Sequence, residues 1–262
     1  MELDDAYANA AHIPGAAKYP SRWMSDASAF RAALEARGRA ETGIPYGKGA
    51  RQVFDLFRTE GPAKGLCVFV HGGYWLRFDR SYWSHLAAGA LARGWAVAMP
   101  SYDLCPDVRI CEITRQIAQA VTSAAARVNG PLVLTGHSAG GHLVARMCVD
   151  GVLPEDVGTR LQQVVPISPV ADLRPLLKTS MNDQFRMDIG MAEAESPVLM
   201  APRNVPVTVW VGGEERPVFL DQAQWLAQAW GCGLKVAEGR HHFDVIDALA
   251  EPKSELCTTL CG

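Results

Sequence analysis

No stretch of the 262-residue sequence is apolar for long enough to cross a membrane as a helix, which takes about 18 uninterrupted apolar residues. The opening residues, MELDDAYANA, are acidic and lead into no apolar segment, so they lack the pattern of a secretory signal. Basic clusters and long acidic runs are also missing, and the net charge is only -3. These absences argue against a membrane and against nucleic acid as the main partner.

Cysteine is present, but it lacks the spacing of a disulfide framework or of a zinc site. The seven cysteines are an odd number, and no C-x-x-C pair occurs. Cys257 and Cys261 lie one helical turn apart, yet no histidine is close enough in sequence to suggest a zinc site with them. The pattern therefore predicts free thiols, a reducing compartment and a cytoplasmic protein, and it predicts no metal site.

The composition is that of a globular protein, with 48% hydrophobic and 20% charged residues. Because this length is near the upper end for one hydrophobic core, we predict a single domain over residues 1–262. Residues 1–45 contain helical patterns, notably at 25–37, and are expected to form an N-terminal helical extension. Residues 172–203 form an irregular, methionine-rich insertion. Two alternatives stay open for this insertion: a small cap over a site, or a solvated connection.

Short apolar runs alternate with longer helical patterns along the chain. The apolar runs lie at 52–57, 66–71, 95–100, 132–136, 163–168, 205–212 and 234–239, with helical patterns at 82–93, 109–128, 140–149 and 219–230. This alternation predicts an α/β fold with a mostly parallel central sheet and helices on both faces. The first run alternates around Asp55, which predicts a half-exposed antiparallel strand at the sheet edge, whereas the later runs are typical of strands buried on both faces. A last helix is expected to start near Asp244.

The segment GHSAG (136–140) lies at the junction between an apolar run and a helical pattern. In a G-x-S-x-G motif the serine sits on a sharp strand-to-helix turn, whose strained backbone leaves no room for side chains two positions before and after it. Gly136 and Gly140 meet that requirement. The turn raises the Ser138 hydroxyl above the sheet, in front of the positive end of the helix dipole. In this setting the motif predicts that Ser138 is a nucleophile.

A serine nucleophile needs a general base near neutral pH, and the sequence has seven histidines. His137 and His142 are close to the serine but are expected to be structural. His137 is expected to face the side opposite its neighbour Ser138, and His142 to pack on the sheet or on a neighbouring helix. The segment GRHHFDVID (239–247) follows the last apolar run, where a loop can bring an imidazole to the carboxyl edge of the sheet. His242 is the predicted base, with His241 as the alternative.

The third member of such a site is a carboxylate that orients the histidine. In the chain order of folds that carry such a serine turn it comes between the serine and the histidine. The segment VPVTVWVGGEERPVF (205–219) has Glu214 and Glu215 just beyond a predicted strand end. The residues alone leave both carboxylates open as the acid.

Backbone donors for a developing oxyanion are predicted in two segments. VFVHGGYW (68–75) ends a strand with two glycines, which allow backbone N–H groups to approach a substrate closely. Gly73 and Tyr74 are the candidates there, and the N–H of Ala139, directly after the serine, is another.

With these motifs the chain resembles the α/β-hydrolases, and specifically their kynurenine formamidase (arylformamidase) branch with its HGGYW signature. The resemblance covers almost the whole chain. It rests on YGKGARQVFDLF (46–57), HGGYW (71–75), GHSAGGHL (136–143), the G-G-x-E-x-P-x-F loop (212–219) and HHFDVID (241–247).

The resemblance implies a role for each matching residue. The nucleophile of the branch falls on Ser138, its histidine on His242, and its oxyanion donors on the Gly72–Tyr74 segment and Ala139. Its acid falls on Glu215. Because the acid of this branch is often aspartate, the glutamate, which is one methylene longer, is a departure from the pattern.

The resemblance also implies a reaction, the hydrolysis of N-formyl-L-kynurenine to L-kynurenine and formate, without a metal or an organic cofactor. The partner is then a small-molecule acyl substrate. Trp75 is a candidate for lining the leaving-group pocket, and Arg77 is a candidate for binding the amino-acid carboxylate.

Two other functions stay open at this stage. Related proteins include carboxylesterases and thioesterases with the same mechanism and another small acyl substrate. A non-catalytic binding protein with the same fold is the alternative of a different class, and such a protein would be expected to lack a member of the triad. The sequence also leaves open whether the chain forms a homodimer.

Overall fold

The computed structural model describes residues 1–262 and contains one central sheet of eight strands. In chain order the strands are β1 (Ala40–Pro45), β2 (Val53–Phe57), β3 (Leu66–Val70), β4 (Ala96–Pro100), β5 (Leu132–His137), β6 (Leu161–Ile167), β7 (Thr208–Gly212) and β8 (Gly233–Ala237). Across the sheet they lie in the order β1-β2-β4-β3-β5-β6-β7-β8. β2 pairs antiparallel with β1 and β4, and the other neighbours are parallel. The predicted mostly parallel α/β architecture is confirmed.

Helices cover both faces of the sheet. They are α1 (Tyr19–Glu35), α2 (Ala88–Ala92), α3 (Ile110–Ala125), α4 (Ala139–Met147), α5 (Glu155–Gly158), α6 (Asn182–Phe185), α7 (Ile189–Ala194), α8 (Pro217–Trp230) and α9 (Glu255–Cys261). Successive residues of a strand point to opposite faces. In β3, Val68 and Val70 therefore belong to the apolar cluster formed with α3 and α4. Cys67 and Phe69 belong to the cluster on the other face, formed with α1, α2 and α9.

The prediction that β2 is a half-exposed edge strand was wrong, because β1 lies outside it and β2 is largely buried. The polar residue that produced the alternation, Asp55, is only 2% exposed. Its carboxylate accepts a hydrogen bond from Gly43 N at 2.8 Å and one from Arg80 Nε at 2.6 Å. A buried, hydrogen-bonded carboxylate thus mimics the sequence pattern of a solvent-facing position.

The N-terminal extension is helical as far as Glu35, but its last residues form the edge strand β1. The segment AETGIP has no apolar run, so its pattern does not predict a strand. Gly43 has a φ of +70°, and the register with β2 shifts between Glu41 and Ile44. This bulge uses the left-handed backbone that glycine adopts readily.

The last helix also begins later than predicted. Residues 241–246 form turns, a short 3-10 helix covers Asp247–Ala250, and α9 starts only at Glu255. Asp244 Oδ1 accepts a hydrogen bond from His241 N at 2.8 Å, which closes a turn instead of starting a helix. Pro252 separates the two helical pieces, and the Ser254 hydroxyl caps α9 by accepting from Cys257 N at 3.0 Å.

The methionine-rich segment 172–203 is folded onto the body of the protein. It contains short 3-10 helices at Arg174–Lys178 and Pro197–Leu199 in addition to α6 and α7. None of the helices in the protein combines the length and the apolar character that crossing a bilayer requires. All seven cysteines are free thiols.

Candidate active site

Ser138 occupies the turn between β5 and α4 with φ 57° and ψ -117°, outside the regions that L-residues ordinarily adopt. A Cβ added at Gly136 would lie 2.4 Å from the carbonyl oxygen of Gly140, and one added at Gly140 would lie 2.0 Å from that of Val70. Any side chain at either position would therefore force the turn open. Strain of this kind persists only where the surroundings impose it, and it is common at functional sites.

His242 lies in a buried pair with Glu215. Its Nδ1 is 2.5 Å from Glu215 Oε2, while Oε1 of the same carboxylate accepts from Gly212 N at 2.9 Å and from the Ser168 hydroxyl. Since an ionised carboxylate can only accept, Nδ1 carries the imidazole proton and the lone pair is left on Nε2. The Glu214 side chain is exposed and makes no such contact. Of the two adjacent carboxylates, the structure brings Glu215 to the histidine.

The imidazole of His242 is held between two other rings. The ring centroid of His137 is 4.6 Å away, and that of Phe219 is 4.3 Å away. Because His137 directly precedes Ser138 in the chain, this contact brings the histidine loop to the Ser138 turn. His137, which was expected to be structural and to face the side opposite its neighbour Ser138, has its ring packed on His242. Burial lowers the pKa of His137 well below its ordinary value, so that this ring is neutral.

The two remaining histidine candidates lie elsewhere. His142 is fully buried, and its Nε2 is 2.7 Å from the carbonyl oxygen of Glu195, in agreement with the packing role expected for it. Burial lowers its pKa to about 4. His241 Nε2 is 3.0 Å from the Tyr19 hydroxyl, and its Nδ1 is 3.2 Å from Asp244. Neither ring contacts Glu215.

The segment Gly72–Tyr74 lies against Ser138. A Cβ added at Gly72 would be 3.0 Å from Ser138 Cβ and 2.8 Å from the carbonyl oxygen of His137. Gly73 has a φ of 108° and Tyr74 a φ of 53°, and the backbone N–H groups of this segment donate no hydrogen bond within the protein. Ala139 is the first residue of α4, where a helix N–H has no intrahelical acceptor. Gly72 thus lies against Ser138, and the backbone N–H groups of its segment and of Ala139 have no acceptor within the protein.

Several supporting residues were missed by the sequence analysis. Ser168, which donates to Glu215, immediately follows β6, and the carboxyl end of that neighbouring strand was the available signal. Tyr102 donates a hydrogen bond to the carbonyl of His71 at 2.9 Å, and the two rings stack with centroids 4.4 Å apart. This stacking supports the backbone just before Gly72.

The N-terminal extension also reaches the site. The Tyr74 hydroxyl donates to the carbonyl oxygen of Tyr7 at 2.7 Å, and burial raises the pKa of Tyr74, which keeps that hydroxyl protonated. The Tyr7 ring packs edge-on against Phe219, with centroids 5.9 Å apart, and its hydroxyl accepts from Gln222 at 3.0 Å. No local pattern in the first ten residues indicates these contacts.

The two pocket candidates differ in their surroundings. Trp75 is fully buried, and its ring packs edge-on against His142 and Phe185, so it belongs to a closed wall and not to an open surface. Arg77 is exposed and forms no ion pair within the chain. The structure therefore includes Trp75 in the wall next to the Gly72–Tyr74 segment, and it leaves Arg77 at the surface.

Residues 67–230 match a protein-family model described as the alpha/beta hydrolase fold. Kynurenine formamidase from Danio rerio is 27% identical to this chain, with 88% of this chain and 89% of that protein covered. The kynurenine formamidase from Drosophila melanogaster is 28% identical, with 86% and 82% covered.

Among solved structures, a candidate thioesterase from Silicibacter sp. is 61% identical over 100% of both chains, with a TM-score of 0.98. Esterase 2 from Thermogutta terrifontis has a TM-score of 0.67 at 17% identity, with 85% of this chain and 96% of that chain covered, and it supports the fold alone. From the family match over most of its length and from the Silicibacter relative, the chain is an enzyme of the α/β-hydrolase family.

Proposed function

We propose that this enzyme is a serine hydrolase that cleaves a small acyl ester or amide through an acyl-enzyme. The observation that carries the proposal is the buried contact between Glu215 and His242 Nδ1, which leaves the Nε2 lone pair free beside the strained Ser138 turn. A binding protein that had lost its chemistry would have no need to keep a buried carboxylate, a correctly protonated imidazole and a strained serine together.

In the proposed reaction Ser138 Oγ attacks the substrate carbonyl while His242 Nε2 takes its proton. Glu215 holds the imidazole in this tautomer and stabilises the imidazolium that forms. The negative charge on the carbonyl oxygen is stabilised by backbone N–H groups of the Gly72–Tyr74 segment and of Ala139. His242 then gives the proton to the leaving group, and a water molecule, activated by the same base, hydrolyses the acyl-enzyme.

The first candidate substrate is N-formyl-L-kynurenine. The support comes from the kynurenine formamidases of Danio rerio and Drosophila melanogaster, which match this chain over more than four fifths of their length. Formyl is the smallest acyl group, and the closed wall around Trp75 is compatible with a small acyl group.

A thioesterase is the second candidate, because the Silicibacter protein that is 61% identical to this chain is described as a candidate thioesterase. Both candidates require the same nucleophile, base and oxyanion donors. They differ in the leaving group, an arylamine for the formamidase and a thiol for the thioesterase.

Steady-state hydrolysis of N-formyl-L-kynurenine, p-nitrophenyl acetate and acetyl-coenzyme A tests both candidates, with Ser138→Ala as the control. A much higher kcat/KM for the formyl substrate, abolished in Ser138→Ala, is expected for a formamidase. A preference for the thioester would favour the second candidate. Wild-type rates in the Ser138→Ala variant would contradict the serine mechanism itself.

A further inference from the structure

We propose that Tyr7, in the N-terminal extension, is a positioning residue that holds the Gly72–Tyr74 segment in place for oxyanion stabilisation by way of the Tyr74 hydroxyl. The inference rests on the proposed function, and it gives a role to a residue that the proposed mechanism does not use. It makes the beginning of the N-terminal extension a functional part of the site.

The backbone around Tyr74 is strained, and Tyr74 itself has few anchors. Tyr74 and Trp75 have φ values of 53° and 55°, which non-glycine residues keep only where their surroundings impose them. Trp75 is held through its backbone, since its carbonyl oxygen accepts from Cys105 N at 2.9 Å. The N–H and the carbonyl of Tyr74 make no hydrogen bond within the protein. Its hydroxyl is therefore its only hydrogen-bonded anchor.

The N-terminal extension supplies both partners of that hydroxyl. Tyr74 Oη donates to the carbonyl oxygen of Tyr7 at 2.7 Å and accepts a long hydrogen bond from Asn9 Nδ2 at 3.5 Å. Tyr7 is 2% exposed and Asn9 is 5% exposed, whereas the other residues among the first twelve are half-buried or exposed. Within this stretch, burial is confined to the two residues that contact Tyr74.

The carbonyl of Tyr7 is itself fixed, because the side chain of Tyr7 is held at its far end. The Tyr7 hydroxyl accepts from Gln222 Nε2 at 3.0 Å. Gln222 is fully buried, and its side-chain oxygen accepts from Ala171 N at 2.8 Å and from Asp172 N at 2.7 Å. The Tyr7 ring packs edge-on against Phe219, with the centroids 5.9 Å apart. Ring and hydroxyl together restrict the movement of the Tyr7 carbonyl.

A second route from Tyr7 into the site passes through Phe219, whose ring centroid is 4.3 Å from that of His242. Through this ring, the loss of Tyr7 would disturb the proposed base instead of the oxyanion donors. Phe219 lies in α8 and is fully buried, so its position does not depend on Tyr7 alone. Tyr74, in contrast, has no other hydrogen bond to replace the one to Tyr7. The contacts therefore favour the route through the Tyr74 hydroxyl.

Displaced oxyanion donors affect the rate in a recognisable way. An oxyanion forms in both acylation and deacylation, so both steps slow down together. An interaction made only in the transition state changes kcat and leaves KM nearly unchanged. The loss of one complete donor typically lowers kcat by about 10² to 10³. Because a displaced segment keeps part of this stabilisation, we expect a loss of about 10-fold to 100-fold.

The test is a double-mutant cycle of Tyr7→Leu and Tyr74→Phe, with p-nitrophenyl acetate as the substrate and circular dichroism to establish folding. Tyr74→Phe deletes only the hydroxyl and should lower kcat by about 10-fold to 100-fold, with KM within about twofold of wild type. Tyr7→Leu removes the ring and hydroxyl that fix the carbonyl, and it should lower kcat by about tenfold. Tyr7→Phe is the milder variant should Tyr7→Leu not fold, and it should cause a smaller loss.

The double variant shows whether Tyr7 acts through Tyr74. Because both substitutions break the same link, the double variant should have a kcat within about threefold of that of Tyr74→Phe, whereas independent effects would multiply. The acidic limb of the kcat/KM profile against pH should stay where it is in the wild type, because that limb reports the protonation of His242 in the proposed mechanism.

Tyr46→Phe is the matched control for Tyr74→Phe. The Tyr46 hydroxyl also donates to a backbone carbonyl, that of Ser101 at 2.6 Å, and Tyr46 is buried. Ser101 directly follows β4 and is not part of the proposed site. A general loosening caused by the loss of a buried tyrosine hydrogen bond would lower kcat in both variants. The proposed link predicts that kcat of Tyr46→Phe stays within about twofold of wild type.

Three results would overturn the inference while the serine mechanism stands. The first is a folded Tyr74→Phe variant whose kcat is within about twofold of wild type. The second is a double variant whose loss equals the product of the two single losses. The third is a shift of the acidic limb in Tyr7→Leu, which would assign the effect of Tyr7 to the route through Phe219. A wild type indistinguishable from Ser138→Ala would instead overturn the proposed function and the inference with it.

Discussion

The contact between Glu215 and His242 leads to a quantitative prediction for the substitution Glu215→Gln. The glutamine carbonyl can still accept from Gly212 N and from the Ser168 hydroxyl, so two of the three contacts of the carboxylate survive. The third contact, with His242 Nδ1, reverses its donor and acceptor, because the amide NH2 of glutamine now faces Nδ1 and can only donate to it. His242 must then carry its proton on Nε2, the atom that accepts the proton of Ser138 in the proposed mechanism.

The same reversal of the tautomer in other serine hydrolases lowers kcat by about 10⁴. That factor corresponds to about 5.5 kcal/mol of transition-state stabilisation. We therefore expect kcat/KM for p-nitrophenyl acetate to fall by about 10³ to 10⁴ in Glu215→Gln. The melting temperature should change little, because the shape of the side chain and two of its hydrogen bonds are kept.

Glu214→Gln is the matched control, since it makes the same chemical change one residue earlier on an exposed side chain. Its kcat/KM should stay within about twofold of wild type, as surface changes away from a site have small effects. The reasoning would be refuted if Glu215→Gln, correctly folded, lost less than about tenfold in kcat/KM. A larger loss in Glu214→Gln than in Glu215→Gln would refute it as well.

Three further predictions concern stability and the shape of the nucleophile turn. Burial lowers the pKa of three histidines, to about 4 for two of them and well below the ordinary value for the third: His71, His142 and His137. The unfolded chain takes up these protons near pH 6.5 and the folded chain does not, so stability present above pH 6.5 is lost as the pH falls toward 4. His71 and His142 should each lower the free energy of unfolding by about 2 kcal/mol at pH 5, and His137 should act in the same direction. Urea unfolding at pH 7 and pH 5 measures the sum, and equal stability at both would contradict the prediction. Glu195→Ala leaves the buried guanidinium of Arg146 without its partner and should lower the free energy of unfolding by about 3–5 kcal/mol, whereas a loss below about 1 kcal/mol in urea unfolding would mean that water replaces the carboxylate. Gly140→Ala should abolish hydrolysis, because its Cβ would lie 2.0 Å from the carbonyl oxygen of Val70, whereas Gly190→Ala, where the nearest atom is 3.5 Å away, should be neutral in the same assay.

Much of the fold was predictable because buried parallel strands are continuous apolar runs of a typical length. The runs corresponding to β3, β4 and β5 predicted those strands to within a residue or so at their ends. The edge of the sheet was not predictable in this way. β1 contains almost no apolar signal, and the buried Asp55 beside it looks like a solvent-facing residue until its partners Gly43 and Arg80 are seen.

The candidate site, like the fold, has one part that the local sequence encodes and one part that it does not. The turn around Ser138 is encoded locally, because its steric demand falls on Gly136 and Gly140, two residues away on either side. Which of two adjacent glutamates meets His242 is not encoded locally. That choice depends on the path of the chain after β7, which buries Glu215 between Gly212 N and Ser168 and turns Glu214 to solvent.

The sequence by itself determined the α/β class, the strained serine turn and the segments that carry the proposed base, acid and oxyanion donors, since each depends on residues close together in the chain. Only the tertiary structure decided the identity of the carboxylate, the packing of His137 and Phe219 on His242, and the wall of Trp75 and Phe185. These features join residues far apart in sequence. Their contacts depend on distances in space, which no local pattern of residues specifies.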